Sequence, residues 1–304
     1  MITVIGEALV DIIVDPTGNV TSVVGGAPLN TARTCARLGI DTTFLGGVST
    51  DAFGGRIMRL LSDDGVTYAL GAQVHEPTTL AIAQIDEHGA ATYRFMMEGT
   101  SAAAVNPEQA LAAVGADCRV VHAGTLGLVL QPLADATRAV VAASPDDRIV
   151  MIDPNCRPSV MTTSDVFRST LDSVLARADI VKVSGDDLEF MFPGVDLVEA
   201  ARALQVQSGA VVLFTDGAKA VRVLNGADEV VLEVPKVPVV DTVGAGDSFS
   251  GGFLAEWMHR GLTRNDVRDT DKVVSAARYG IAVAGITCQR PGADPPRTGE
   301  VPGY

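Results

Sequence analysis

Residues Val240–Gly252 read VDTVGAGDSFSGG. β-Branched residues lead into Gly244-Ala245-Gly246, and an apolar stretch of helical spacing follows, with Phe253, Leu254, Trp257 and Met258. Glycines at a strand-to-helix junction let backbone N–H groups converge on one point. The helix N-terminus adds its positive dipole end, and together they make an anion hole. Asp247 stands at the mouth of that helix. Two roles are open to it: an N-cap that satisfies backbone amides, or a base that takes a proton from a hydroxyl attacking the anion.

Three similar motifs are excluded. G-x-G-x-x-G fails because Ser248-Phe249 follow Gly246 and the next glycine is Gly251, and an aspartate at the mouth would repel a bare pyrophosphate. A Walker A loop needs Gly-Lys, which the chain lacks. A serine hydrolase elbow needs G-x-S-x-G, and Gly246-Asp247-Ser248 does not supply it.

A second segment, Val23–Ala32 (VVGGAPLNTA), places Gly25-Gly26 ahead of a helix that Pro28 can open. Asn30 then lies one turn in. It is either a surface polar residue or a donor and acceptor for a polyol.

The elements that must position these residues follow from periodicity. Ile2–Ile5, Thr43–Leu45, Val120–Ala123, Ile149–Ile152, Ile180–Val183 and Val211–Phe214 are short apolar runs. Helical-period segments separate or follow them: Leu29–Leu38, Phe53–Leu61, Pro107–Val114, Leu133–Ala143, Val166–Ala176 and Leu197–Gln207. Fully apolar strands alternating with helices predict a parallel sheet covered on both faces, an α/β fold. Asp11–Val24 and Ala69–Tyr93 break the rhythm with alternating polarity and no helix. Thr79–Ile85 and Ala90–Phe95 flank Asp86-Glu87-His88-Gly89 as a β-hairpin. This second sheet is either a projecting lid or an edge extension of the first. Gly285–Tyr304, with four prolines, reads as a surface loop and tail.

Composition bounds the rest. A chain of 304 residues with 47% hydrophobic content needs no disulfide or zinc to hold its core. A net charge of −14 repels phosphate backbones and anionic lipids, which argues against nucleic acid and membrane as partners. Cys35, Cys118, Cys156 and Cys288 form no C-x-x-C pair and read as reduced thiols of a cytoplasmic protein. His75, His88, His122 and His259 lack metal-ligand spacing. The apolar start MITVIGEALVDIIV has no basic flank, and Glu7 and Asp11 interrupt it, so it reads as a core strand.

GGAPLNTA from Gly25 and DTVGAGDSF from Asp241, in this order and roughly 215 residues apart, resemble the ribokinase-like (PfkB) carbohydrate kinases. The resemblance runs along the chain through IGEALVDI, DPNCRP (Asp153–Pro158), VKVSGDDLEF (Val181–Phe190) and FTDGAKA (Phe214–Ala220). It is most similar to the fructokinase branch. The resemblance implies one domain over residues 1–304, a three-layer α/β/α sandwich. A small β-sheet lid from about 11–24 and 69–100 also serves as a possible dimer clasp. It implies Asp247 as base, with Gly244, Ala245 and Gly246 stabilising the transferring phosphoryl. Asp11, Gly25, Gly26 and Asn30 match sugar-binding positions, and Lys182, Ser184, Thr215 and Gly217 match nucleotide-binding ones. Ser184 and Asp187 stand where many relatives carry Asn-x-x-Glu, so Asp187 is matched to hydrated Mg²⁺. Asp241 and Val243, with Cys288–Asp294, match a K⁺ site. Arg157, with Asp153 and Asn155 in the cleft, either meets a phosphate or makes a structural salt bridge.

The implied function is ATP-dependent phosphorylation of a sugar hydroxyl, of fructose or a related ketose. The rivals are a 2-keto-3-deoxygluconate kinase, a ribokinase, a nucleoside kinase and a non-catalytic sugar-binding protein. The sequence departs from the fructokinase pattern in the run Tyr93–Thr100 (YRFMMEGT), where Met96 and Met97 fall at or near the sugar contacts. An acid substrate would use Arg94 or Arg157.

Overall fold

The fold was analysed in a computed structural model that describes residues 1–87, 91–162 and 164–302. The strands are β1 (Ile2–Ile5), β2 (Leu9–Val14), β3 (Val20–Gly25), β4 (Thr42–Leu45), β5 (Thr67–Tyr68), β6 (Leu80–Ile85), β7 (Ala91–Met96), β8 (Val120–Gly124), β9 (Ile149–Asp153), β10 (Ile180–Ser184), β11 (Val211–Thr215), β12 (Ala220–Asn225) and β13 (Asp228–Glu233). The helices are α1 (Ala27–Arg37), α2 (Ala52–Asp63), α3 (Pro107–Ala113), α4 (Leu133–Ala142), α5 (Pro158–Met161), α6 (Asp165–Leu175), α7 (Gly185–Met191), α8 (Leu197–Ser208), α9 (Ala245–His259) and α10 (Thr270–Thr287).

Nine strands form the large sheet in the order β13-β12-β11-β10-β9-β8-β1-β4-β5. Pairing is parallel from β11 through to β5, and only β12 runs the other way, antiparallel to both β11 and β13. Alternate residues of each strand serve opposite cores, as the pleat requires. Val4, Met151 and Leu213 pack with Phe253, Trp257 and Val283 of α9 and α10. Ile5, Ile152 and Phe214 pack with Val140, Val174 and Leu204 of α4, α6 and α8. Fully burying each such side chain contributes about 1.5–3 kcal/mol. The expected helices end where local chemistry ends them. Asp51 caps α2 by accepting from the Gly54 N–H, Asn106 and Gln109 form a capping box on α3, and left-handed Gly209 stops α8.

A second sheet has the order β3-β2-β6-β7, with β2–β6 parallel and the outer pairs antiparallel. Its third strand begins at Leu80, later than the expected residue 69. β5 pairs with β4 of the large sheet, and Val74 bridges Ser49, so residues 67–74 belong to the larger body. Of the expected hairpin, His88, Gly89 and Ala90 lie outside the described residues. Several elements escaped the sequence reading, among them the edge strands β12 and β13 and helices α5, α7 and α10.

The C-terminal expectation is corrected. α10 continues to Thr287, and the segment beyond it is not a free tail: Val301 is buried, and the Thr298 N–H donates to the Arg37 carbonyl at 2.9 Å. Gly303 and Tyr304 lie outside the described residues. Among the described residues, no helix is long and apolar enough to cross a membrane.

Candidate active site

The chain runs from β1 to β4 on one side of β1 and returns to β8 on the other. Ligands of open parallel sheets collect at the carboxyl ends of strands beside such a switch point. That is where the candidate residues lie. Glu7 follows β1, Asp153 ends β9, Lys182 lies in β10 and Ser184 ends it, Thr215 ends β11, and Gly25 ends β3.

Gly244 is the N-cap of α9, in the left-handed region at φ 76°, and makes no side-chain cap. Asp247 therefore sits inside the first turn, not at the cap. Its Oδ2 accepts a 2.9 Å hydrogen bond from Asn30 Nδ2. The N-cap reading of Asp247 falls, because its observed partner is a side chain from another helix. The surface reading of Asn30 falls as well. Asn30 is buried one turn into α1, and among the described residues its Oδ1 has no hydrogen-bond partner, an acceptor left open beside Asp247. Burial raises the Asp247 pKa above the ordinary range. The Asn30 hydrogen bond and the charges of Lys182 and Arg157 pull it back.

Lys182 lies beneath the glycine loop. Its Nζ pairs with Asp153 Oδ2 at 3.1 Å, and a Cβ on Gly246 would stand 3.0 Å from that Nζ. Burial works against the Lys182 charge, but the carboxylates of Asp153, Asp187 and Asp247 outweigh it and hold its pKa above ordinary lysine. The loop thus has a buried cation under its amides, which adds to the dipole of α9.

On the small sheet, Asp11 shares a row with Ala81 and Phe95. That face packs against Leu126, Leu130 and Val160. A Cβ on Gly25 would stand 2.4 Å from Asp11 Oδ2, so a side chain there would displace the Asp11 carboxylate. Gly26, at φ 116°, caps α1. Burial raises the Asp11 pKa to about 6, against the pull of Arg157. Arg157 Nη1 donates to Asn155 Oδ1 at 2.7 Å and to the carbonyls of Asn155 and Cys156. Those contacts include no carboxylate, and its charge acts on Glu7, Asp11 and Asp247 together. Arg94 is exposed and sits in the adjacent row, on the opposite face from Asp11. Met96 is likewise turned outward at 50% exposure, while Met97 packs beside Leu126.

Asp187 is spent inside the protein. With Ser184 it forms a capping box on α7: Oδ2 accepts from Ser184 N–H and Oγ–H, and Oδ1 accepts from Cys156 N–H at 2.6 Å. Thr215 is in register with Ser184 across β10 and β11, and Gly217 turns the chain after it at φ 53°. Asp241 accepts from Val243 N–H at 3.0 Å and from Gly292 N–H at 2.8 Å. That second contact brings the 288–294 segment to it. Among the described residues no group of three or more His, Cys, Asp or Glu is placed to hold a metal ion. The site suits Mg²⁺ only as an ion that arrives on phosphate oxygens and keeps its waters.

Two buried residues were not read as site members. Glu7 accepts from the Leu126 N–H at 3.1 Å, and burial raises its pKa to about 8 despite the pull of backbone hydrogen bonding and Arg157. Its signal was a charge inside an otherwise apolar opening strand. His122 on β8 is buried, and desolvation, then Lys182, lowers its pKa to about 3, so the ring stays neutral. Nothing in its sequence neighbourhood marked it.

A buried carboxylate beside an amide-lined helix mouth, at the carboxyl ends of a parallel sheet, is the equipment of a phosphotransferase acting on an alcohol. The chain matches the pfkB family carbohydrate kinase over residues 1–298. It is 32% identical over 278 residues to a fructokinase of Rhizobium leguminosarum bv. trifolii, across 90% of this chain and 84% of the relative. A fructokinase of Klebsiella pneumoniae is 32% identical over 270 residues, across 87% and 86%. Among solved structures, the Xylella fastidiosa fructokinase with bound ATP superposes with a TM-score of 0.83 at 26% identity, covering 96% of this chain and 93% of that one. The fructose-, ADP- and calcium-bound fructokinase of Vibrio cholerae O395 also gives 0.83, at 25% identity, covering 96% and 94%. The chain belongs to the pfkB family of carbohydrate kinases.

Proposed function

We propose that the chain transfers the γ-phosphoryl group of ATP to a hydroxyl of fructose, with Asp247 as the base. The observation that carries this reading is the Asn30–Asp247 hydrogen bond at the mouth of α9. It holds a buried carboxylate at the mouth of α9, beside the backbone of Gly244, Ala245 and Gly246; the Ala245 N–H donates to the Thr242 carbonyl at 3.2 Å and would have to leave it to meet a phosphoryl oxygen. The sugar hydroxyl loses its proton to Asp247 as its oxygen bonds to the γ-phosphorus and the bond to the ADP oxygen breaks. The helix dipole and Lys182 offset the charge on the phosphoryl oxygens.

Asp11, Gly25, Gly26, Asn30 and Arg157 bind the sugar, and the small sheet acts as its lid. Ser184, Thr215, Gly217 and Lys182 line the nucleotide, with Gly244 and Gly246 at its phosphates. Mg²⁺, when bound, would supply charge neutralisation on the phosphates, and Asp187 would contribute mainly by its charge, because three of its roughly four acceptor sites are already engaged. Asp241, the Val243 backbone and the 288–294 segment would hold a K⁺ ion. The exposed Val20, Val23, Tyr93 and Met96 of the small sheet suit a homodimer clasp. The free cysteines fit a reducing cytoplasm. The relatives named above act on fructose by name, and the outward Arg94 makes an acid sugar a weaker fit.

A coupled ADP-release assay with ATP·Mg²⁺ against fructose, ribose, 2-keto-3-deoxygluconate, tagatose and adenosine, with and without K⁺, tests this. The highest kcat/KM is expected with fructose. A higher value for another acceptor would overturn the substrate, and no turnover with any would overturn the activity on these sugars.

A further inference from the structure

Arg33 and Arg37 continue the line of Asn30 along α1, three and seven residues on, so they share its side of the helix. Both turn to Asp64, which closes α2. Arg33 Nε meets Asp64 Oδ2 at 2.7 Å and Arg37 Nε meets Oδ1 at 2.7 Å, and the Asp64 side chain is 1% exposed. The far ends of both guanidinium groups hold the segment after α10. Arg33 Nη1 donates to the Ala293 carbonyl at 2.9 Å, and Arg37 Nη1 donates to the Pro295 carbonyl at 2.6 Å and to Asp294 Oδ1 at 2.5 Å. That segment backs the glycine loop: a Cβ on Gly244 would stand 2.6 Å from Ala293 Cβ.

Asp64 is thus shared by three guanidinium groups, since Arg297 Nη2, on a more exposed side chain, also meets its Oδ1 at 3.0 Å, while Arg33 and Arg37 turn their Nη1 atoms to the 293–295 segment. A buried ionic cluster adds little stability over apolar packing, but it fixes geometry, because each planar fork has one satisfied orientation. The glycine loop needs fixed geometry, since its amides must face the transferring phosphoryl before the reaction begins. We infer that Asp64, remote from the reacting atoms, is a positioning residue for phosphoryl transfer. It orients Arg33 and Arg37, and they hold residues 293–295 against Gly244 so that the 244–246 amides converge. The inference rests on the reading of that loop as the phosphate site.

Two variants of the full-length chain test it, Asp64→Asn and Asp294→Ala. Asp294 has a side chain 47% exposed, so its removal cuts one of the three contacts that tether the loop end, without emptying the core. For each, ATP·Mg²⁺ affinity is measured by calorimetry without sugar, fructose affinity without nucleotide, and kcat in the coupled assay. Asp64→Asn is expected to weaken ATP·Mg²⁺ about tenfold and lower kcat about 10- to 100-fold, the scale of a misplaced catalytic group. Asp294→Ala is expected to shift both in the same direction by a smaller factor. Fructose affinity should stay within about twofold, as expected when only transition-state and nucleotide contacts are lost. If Asp64→Asn does not fold, Asp294→Ala decides alone. Parental ATP affinity and kcat in a folded Asp64→Asn, or in Asp294→Ala, would overturn the assignment, as would equal losses of sugar and nucleotide affinity. Nucleotide affinity does not depend on which sugar is the substrate, so an error in the sugar would show separately.

Discussion

Asn30 Nδ2 donates to Asp247 Oδ2 across 2.9 Å and 217 positions of sequence, joining the first turn of α1 to the first turn of α9. The bond holds the carboxylate in one orientation, and it favours the charged form against burial.

Asp247→Asn keeps the shape of the side chain and removes its basicity. The expected result is a kcat lower by about 10²–10⁴-fold with sugar affinity nearly unchanged, consistent with the loss of a positioned base. Steady-state kinetics with a calorimetric sugar titration check it. An active Asn variant would remove Asp247 from the base role.

The pH profile tests the same pair. Asp247 must be ionised to accept a proton, and its pKa is raised, so kcat/KM should fall on the acid side at a pH above the ordinary aspartate range. Asn30→Ala removes a hydrogen bond that lowers this pKa. The acid limb should therefore move to higher pH in the variant. A limb that stays in place would mean that another group sets it.

Glu7 predicts a pH dependence of stability. Its pKa is raised from the ordinary 4.5 to about 8. Between those values the folded chain holds a proton that the unfolded chain has lost, so stability falls as pH rises through the window. Glu7→Gln should flatten that part of the curve, measured by urea unfolding at steps from about pH 5 to 8. An unchanged slope would exclude Glu7 as its source.

Lys182 and Asp153 are both buried and paired at 3.1 Å. Lys182→Met leaves Asp153 as an uncompensated buried acid and should destabilise the fold by about 3–5 kcal/mol. Lys182→Met with Asp153→Leu should recover much of that loss, while kcat stays low because the cation beneath Gly246 is gone. Full recovery of kcat in the double variant would sink the electrostatic role of Lys182.

Much of this was legible in sequence, and the reason is local. Strands β1, β8, β9, β10 and β11 were marked by apolar runs bounded by turn residues, because a strand buried on both faces needs nothing else. The helix starts at Pro28 and Asn106 are also local chemistry. β12 and β13 were missed because β13 is an edge strand, largely exposed and carrying Asp228, Glu229 and Glu233, so the hairpin lacks the apolar runs of the inner strands. The tail was misread because its prolines look like a loop, while its order comes from α1 and α2, which lie far away in the chain.

The sequence by itself determined the parts that depend on residue type and near neighbours: the glycines that turn, the carboxylate at the mouth of α9, the amide one turn into α1, and the alternation that demands two cores. The tertiary structure alone decided what those residues are to each other. It put Asn30 on Asp247, Lys182 under Gly246 and Asp64 behind the loop, and it engaged both carboxylate oxygens of Asp187 in hydrogen bonds. These are contacts between distant segments in a desolvated interior. There the free energy of a charge is set by which partners the fold brings within hydrogen-bond range, and no local pattern encodes that.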